Sequence, residues 1–135
     1  MTHVAAIQMT SCANVARNLA VAGELLRQAR AQGAVVAVLP ENFAFMGRGE
    51  ADKLAIAEAH GSGAIQAFLA EQARMHSLWI VGGTIPLKLP DEPRVAAACL
   101  VFDDAGREVA RYDKIHLFDV DVPGKLESHR ESKAV

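Results

Sequence analysis

The sequence is poor in cysteine, and the two that it has exclude several kinds of site. Cys12 and Cys99 are too few for a disulfide framework, and neither has a second thiol or a histidine at the spacing of a zinc site. The 135 residues also lack a glycine-rich loop with the spacing and the lysine of a phosphate-binding motif. We therefore expect reduced thiols, no bound metal and no cofactor.

Charge and aromatic content argue against nucleic acid as a partner. The formal net charge is -2 with both signs interspersed, and aromatic residues make up 5% of the chain, so neither a basic stripe nor a stacking platform is available. No apolar run approaches the roughly 20 residues of a membrane-spanning helix, and the amino terminus lacks a basic segment before a continuous apolar stretch. We expect a cytoplasmic protein that binds neither nucleic acid nor membrane.

What is present is the composition of an ordinary globular protein. Apolar residues make up 51% of the chain and charged residues 22%. A chain of about 150 residues buries roughly 70% of its unfolded surface, which is enough for a core. We expect residues 1–135 to form a single domain.

The beginning of the chain has the pattern of a strand, a helix and a second strand. Residues 3–9 and 34–39 are short and largely apolar, as buried strands are. Between them, apolar residues recur at three- and four-residue steps over 15–29, which predicts a helix. Asn14 can cap its first amides, and Gly33 can adopt the left-handed backbone conformation that ends a helix. A right-handed crossover would make the strands parallel, so both would end at the same sheet edge.

The middle of the chain predicts two helices and a strand. A weak helix is predicted over residues 52–60, and a stronger one runs from Ser62, which can cap it, to about residue 77. Residues 78–85 are apolar and β-prone, with two adjacent glycines that in a strand mark a bulge or a close backbone approach. A loop is expected over 86–93.

The last strands are predicted to make the sheet mixed. Residues 95–102 and 108–112 are separated by the turn signal 103–106, so they should pair as an antiparallel hairpin. The tail from residue 123 to residue 135 is polar and shows no helical or strand periodicity. We expect no regular element there.

Glu41 and Lys114 are the candidate functional residues. Glu41 directly follows a buried parallel strand, and ligands and catalytic groups gather at the carboxyl ends of strands in open α/β sheets, so this carboxylate could act as a general base. It could equally cap or solvate a loop. Lys114 ends the hairpin strand, where its ammonium could stabilise an oxyanion. Taken alone, it also fits a surface lysine.

The cysteines and histidines are weaker candidates. Cys12 follows the first strand and could share an edge with Glu41, but a reactive thiolate needs an electropositive setting that its neighbours do not provide. Cys99 lies inside an apolar strand, so we expect neither to be a nucleophile. Single histidines without spaced partners are more often surface or core residues than ligands. We assign no metal to any of the five, which are His3, His60, His76, His116 and His129.

Two stretches of the sequence resemble the nitrilase superfamily of carbon-nitrogen hydrolases. They are residues 39–42, Leu-Pro-Glu-Asn, and residues 112–119, Tyr-Asp-Lys-Ile-His-Leu-Phe-Asp. Residues 7–9, Ile-Gln-Met, with Asn18 also look like the first strand and helix of that family, so the resemblance covers essentially the whole chain. Residues 117–124 are further similar to Nit-type amidases, which include deaminated-glutathione amidase and omega-amidase.

The resemblance implies a fold, a reaction and a set of roles. The fold would be α/β, half of an αββα four-layer sandwich with a mixed β-sheet, and the substrate would be a small amide hydrolysed through a thioester. Glu41 matches the general base, Lys114 the lysine that stabilises the tetrahedral intermediate, and Glu131 a second glutamate that helps to position substrate and lysine. The family's nucleophilic cysteine belongs downstream of Glu131, beyond Val135.

We therefore expect the amino-terminal half of a carbon-nitrogen hydrolase domain, truncated before its nucleophile and inactive alone. The alternative is a non-catalytic α/β binding or interaction module in which Glu41 and Lys114 are structural charges. Half of a two-sheet sandwich leaves one apolar sheet face without its cover, which promotes association, so we expect a homo-oligomer. The sequence leaves open which amide would be the substrate.

Overall fold

The computed structural model describes residues 1–49, 51–121 and 128–135. In these ranges six strands form one sheet and two further strands form an antiparallel pair. The strands are β1 (His3–Ala6), β2 (Ala34–Val38), β3 (Trp79–Val81), β4 (Ile85–Lys88), β5 (Val95–Phe102), β6 (Glu108–Asp113), β7 (Asp119–Asp121) and β8 (Ser128–Arg130). The helices are α1 (Val15–Ala31), α2 (Asp52–Ala55) and α3 (Ala64–His76), and a 3-10 turn spans Glu131–Lys133.

Strand direction places several carboxyl ends at one edge of the six-stranded sheet. Strands β1, β2 and β3 are mutually parallel, and β5 runs antiparallel to β3, β4 and β6. Because β5 alone is reversed among these six strands, β6 has the same direction as β2. The predicted mixed sheet is confirmed, and the segments that follow β2, β3 and β6 all leave from the same edge.

Helix α1 begins and ends as its sequence predicts. The Asn14 side-chain oxygen accepts a hydrogen bond from the Arg17 amide at 3.0 Å, and Gly33 has φ +86° just beyond the last turn. Leu26 and Ala22 are fully buried on the face that packs against the sheet. Together with Leu69 of α3 and Ile80 of β3 they belong to the main hydrophobic core.

Two predicted strands have different bounds in the structure. The first ends at Ala6 rather than at residue 9, because its partner β2 ends at Val38, which pairs with Ala6. The predicted strand 78–85 divides into β3 and β4, because the chain turns at Gly83, where φ is +58°. Strand β4 then continues into the predicted loop 86–93 as far as Lys88.

The predicted helix over 52–60 is wrong beyond Ala55, and so is the predicted cap of the next helix. The Glu58 amide donates to the Pro86 carbonyl at 3.1 Å, which ties this segment to β4 rather than to a helix. The Glu58 carboxylate accepts hydrogen bonds from the amides of Ile65 at 2.6 Å and Gln66 at 3.2 Å. It therefore takes the place at the start of α3 that was predicted for Ser62.

The predicted absence of regular structure in the tail is also wrong where the tail is described. Residues 122–127 lie outside the described ranges, but β8 and the 3-10 turn follow them. The Val95 amide of β5 donates to the Ala134 carbonyl at 2.8 Å, and Val135 packs against Val95 and Ala97. These non-local contacts order a segment whose own sequence carries no periodic signal.

The two faces of the sheet differ in how far they are covered. Helices α1 and α3 bury one face, whereas the strand register puts Val4, Val38, Trp79 and Tyr112 together on the opposite face. Their exposed fractions are 62%, 38%, 42% and 58%, respectively. We call these four residues the open sheet face.

Among the described residues, no helix is long and apolar enough to cross a membrane.

Gly83→Ala is expected to destabilise the fold. Gly83 has φ +58°, which strains residues with a side chain, and an added Cβ would overlap the carbonyl oxygen of Pro40. We expect the free energy of unfolding in urea to fall by about 2–4 kcal/mol. Gly49 has open space around its Cβ position, so Gly49→Ala is the control. Equal losses in the two variants would contradict the role of Gly83.

Candidate active site

Glu41 lies in a tight turn where the chain leaves β2. The Leu39 amide donates to the Val81 carbonyl at 2.9 Å, which is a final backbone link to β3. Asn42 then takes φ +55°, a left-handed conformation that asparagine tolerates, and its amide donates to the Thr84 hydroxyl at 3.0 Å. Phe43 is fully buried and anchors the far side of the turn. The turn leaves the Glu41 side chain 52% exposed at the sheet edge.

Lys114 reaches the same edge from the end of β6. Its amide donates to the Ala97 carbonyl of β5 at 3.0 Å, so the backbone is still tied to the sheet where the side chain projects. The Lys114 ammonium donates to Glu41 Oε1 at 2.7 Å. The structure therefore brings together the two residues that the sequence singled out at strand ends, although 73 positions separate them.

Glu131, in the 3-10 turn, completes the cluster. Its side chain is 4% exposed, and its Oε2 accepts hydrogen bonds from the Lys114 ammonium at 2.8 Å and from the Phe118 amide at 2.7 Å. Its Oε1 accepts from the Lys53 ammonium at 3.3 Å. The turn is fastened beside it, because the Ser132 hydroxyl donates to Asp119 Oδ2 at 2.6 Å. Two carboxylates and two ammonium groups thus alternate in one chain of contacts.

The local electrostatics stabilise the charged forms of Lys114 and Glu131. Burial by itself would lower the pKa of Lys114, but hydrogen bonds to Glu131 and Glu41, together with their negative charges, raise that pKa above its usual value. Burial would likewise raise the pKa of Glu131. Hydrogen bonds from Lys114 and the Phe118 amide, with the charge and hydrogen bond of Lys53, lower it instead. Both shifts favour the charged forms of Lys114 and Glu131 around neutral pH.

This geometry suits acid-base chemistry beside a fixed cation. The half-exposed Glu41 carboxylate can accept a proton from an incoming group. The Lys114 ammonium has three N–H donors, of which two go to Glu41 and Glu131, and such a held cation can offset negative charge on a nearby oxygen. Within the described ranges, no group of three or more acidic, histidine or cysteine side chains is placed to hold a metal ion.

The cysteine sulfurs have no hydrogen bond to this cluster in the part of the chain that the structure describes. Cys12 Sγ donates to Asn18 Oδ1 at 3.3 Å, and the Cys12 amide donates to the same oxygen at 3.0 Å. The buried Asn18 side chain also donates to the carbonyls of Cys12 at 2.7 Å and Ala44 at 2.8 Å. Cys99 lies within β5, and burial raises the pKa of its thiol. Cys12 thus belongs to a structural network around Asn18.

The sequence interpretation missed Lys53 and the Phe118 amide. Lys53 lies in a region where the local pattern predicts only a weak helix, and 78 positions separate it from Glu131. The Phe118 amide reaches Glu131 because β7 and β8 pair, with Asp119 opposite Arg130. A charged residue in a short amphipathic stretch could have been examined as a partner for Glu131. No spacing rule would have selected it.

Comparison with known proteins points to one family. The carbon-nitrogen hydrolase family model matches residues 3–133. Deaminated glutathione amidase of Synechocystis sp. is 44% identical over 121 residues, which are 88% of this chain and 43% of that protein. Omega-amidase NIT2 of Homo sapiens is 36% identical, with 98% of this chain and 46% of its own length aligned. The chain therefore spans less than half the length of these curated relatives, and it corresponds to their amino-terminal part.

Solved structures show the same fold. The Caenorhabditis elegans NitFhit protein matches 98% of this chain and 32% of its own, with a TM-score of 0.82 and 28% identity. An amidase from Nesterenkonia sp. matches 90% of this chain and 48% of its own, with a TM-score of 0.73 and 26% identity. The predicted α/β fold class, with the mixed sheet of nitrilase-superfamily structures, is confirmed.

Glu131→Gln should remove a pH-dependent part of the stability. A carboxylate whose pKa is lower in the folded chain stabilises the fold above its unfolded pKa, and this contribution is lost as the pH falls through the folded pKa. We expect the variant to lose about 1–3 kcal/mol at neutral pH. Below about pH 4 its difference from the wild type should shrink.

Urea unfolding over a pH series measures this difference. The matched control is Glu71→Gln, which removes an exposed carboxylate on α3 and should follow the wild type at every pH. A Glu131→Gln deficit of the same size in acid and at neutral pH would show that the loss comes from packing, not from the charge.

Proposed function

Because the chain belongs to the carbon-nitrogen hydrolase family, we propose that its site serves the hydrolysis of a small amide, as in the Nit-type amidases that it resembles. One observation carries this proposal. The Lys114 ammonium lies between Glu41 at 2.7 Å and Glu131 at 2.8 Å, and Glu131 is buried. A merely solvated surface lysine would not hold two carboxylates from separate elements of the fold.

The proposed roles follow from the chemistry of each group. Glu41 accepts the proton of a cysteine thiol, and the resulting thiolate attacks the amide carbon. Lys114 stabilises the negative charge on the carbonyl oxygen in the tetrahedral intermediate. The Glu41 proton then passes to the leaving nitrogen, so that ammonia departs and a thioester remains. Glu41 next takes a proton from water, and the resulting hydroxide attacks the thioester. The carboxylic acid leaves, and the proton passes from Glu41 to the thiolate, which restores the thiol and the base.

Glu131 is proposed to position Lys114 rather than to react. Its Oε2 atom accepts from both Lys114 and the Phe118 amide, and both contacts are 2.8 Å or shorter. A cation held from two sides keeps its orientation when the substrate oxygen becomes negatively charged, which limits the reorganisation that the reaction requires. The half-exposed Glu41 remains accessible to the substrate.

The nucleophile is proposed to come from outside these 135 residues. Cys12 Sγ is bonded to Asn18, and Cys99 lies within β5. The resemblance assigns the nucleophilic cysteine to a position after Glu131, and this chain spans 43–46% of the length of the amidases compared above. We propose that the single incomplete domain formed by residues 1–135 has the base and the lysine but no turnover of its own.

A chimera tests the proposed function. The part of the Synechocystis amidase that matches this chain is replaced by this chain, and ammonia release from a small amide is measured. We expect turnover, and we expect Glu41→Gln and Lys114→Met each to lower kcat/KM by about 10²–10³-fold, the size of a general-base or oxyanion contribution. The matched controls are Glu71→Gln and Lys88→Met, which change exposed residues of the same charge.

Two outcomes would contradict the proposal. One is a folded chimera whose turnover is unaffected by the Glu41 and Lys114 substitutions. The other is the 135-residue chain alone hydrolysing amides at an enzymatic rate that Cys12→Ala abolishes, because the nucleophile would then lie within this chain.

The open sheet face favours the alternative of an interaction module, and it supports the proposed homo-oligomer. Apolar side chains such as Trp79, 42% exposed, and Tyr112, 58% exposed, are normally covered when they form one patch. In the module hypothesis, Glu41→Ala and Lys114→Ala would leave association unchanged, whereas substitutions on the open sheet face would abolish it.

Val38→Lys is expected to dissociate the oligomer, because a charge on the open sheet face cannot be buried in an interface without a partner. The matched control is Val21→Lys on α1, since Val21 and Val38 are 40% and 38% exposed. Light scattering after size-exclusion chromatography gives the mass of each variant. A monomeric wild-type chain, or dissociation by Val21→Lys alone, would count against association through this face.

A further inference from the structure

We propose that Lys53 is a positioning residue of this site and that it acts through Glu131, keeping that carboxylate ionised and oriented towards Lys114. The inference rests on the proposed function for its catalytic meaning, but the contacts that carry it do not. Lys53 lies on α2, in a stretch to which the sequence assigned no site residue.

The buried Glu131 carboxylate is compensated by two cations, Lys114 and Lys53. An ionised carboxylate that is 4% exposed must replace its lost hydration on both oxygens. Lys114 and the Phe118 amide both donate to Oε2, whereas Lys53 donates to Oε1 at 3.3 Å. Lys53 is thus the cation on the oxygen that Lys114 does not contact.

Lys114 is shared between two carboxylates. It donates to Glu41 at 2.7 Å and to Glu131 at 2.8 Å, so its single charge has to compensate both. The Lys53 ammonium makes the four-residue cluster formally neutral. Without Lys53, Glu131 would lose one of the groups that lower its pKa and would protonate more readily, and a protonated carboxyl would hold the Lys114 ammonium less strongly.

Helix α2 and its flanking segments fix the backbone around Lys53. The Asp52 carboxylate accepts hydrogen bonds from the amides of Arg48 at 2.9 Å and Gly49 at 3.1 Å, which fasten the start of the helix. The Lys53 side chain is 13% exposed. Just beyond α2, Glu58 is paired with β4. Because its backbone is fixed on both sides and its side chain is mostly buried, the Lys53 ammonium is confined near Glu131, and the contact is more than a loose surface pair.

The experiment is a titration of Glu131 by carbon NMR of its carboxyl group, in the 135-residue chain. Lys53→Met keeps the length of the side chain but removes its charge, and we expect the acid dissociation constant of Glu131 to fall at least threefold. Lys53→Arg keeps the charge and should restore a value near that of the wild type. Lys88→Met removes an exposed lysine on β4 and should change nothing.

An unchanged Glu131 titration in Lys53→Met would overturn the proposal, and so would equal changes in Lys53→Met and Lys53→Arg. If Lys53→Met alone does not fold, the double variant Lys53→Met with Glu131→Gln decides. Recovery of the fold supports the inference, because the uncompensated carboxylate is then the cause, and failure to recover overturns it.

The two proposals can fail separately. The NMR titration needs no substrate, so it tests the link from Lys53 to Glu131 even if the chimera is inactive. In an active chimera, Lys53→Met should lower kcat severalfold with little change in KM, and it should move the acid limb of the pH profile towards higher pH. If the Lys53→Met chimera had the turnover and the pH profile of the wild-type chimera, Lys53 would have no role in catalysis. The amidase proposal would still stand.

Discussion

The burial of one ionised carboxylate is the constraint on which this site depends. Glu131 is almost completely removed from water, and such a group is stable only when cations and N–H donors replace its hydration. The donors come from the end of β6, from the segment before β7 and from α2. One side chain therefore joins three segments, and the more exposed Glu41 is added to this framework through Lys114.

The parts of the fold that could be predicted are those in which local pattern and chain direction decide the outcome. The cap of α1 by Asn14 and its left-handed end at Gly33 follow from local chemistry. The proximity of Glu41 and Lys114 follows from topology, since strands that run in the same direction end at the same edge. The hairpin turn predicted the direction of β6 relative to β5, whereas the antiparallel pairing of β5 with β3 is known only from the structure.

The parts that could not be predicted depend on contacts between distant residues. Glu58, and not the predicted Ser62, accepts hydrogen bonds from the first amides of α3, because β4 holds the Glu58 backbone beside that helix. The tail containing Glu131 has no periodic signal, and it is ordered by bonds to Phe118 and to β5. Lys53 joins the site only because α2 and the tail meet. Roles could be assigned to such residues by resemblance, as for Glu131, or not at all.

The sequence separations within the cluster have a consequence for how the molecule reaches its native state. Lys114 is 73 positions from Glu41, and Lys53 is 78 positions from Glu131. Contacts of this range cannot form within a local segment, so Lys114 meets Glu41 only when the sheet brings the ends of β2 and β6 to one edge. A nascent chain cannot complete the cluster before Glu131 has been synthesised. Formation of the charge cluster thus reports that these two strand ends and the turn carrying Glu131 have come together.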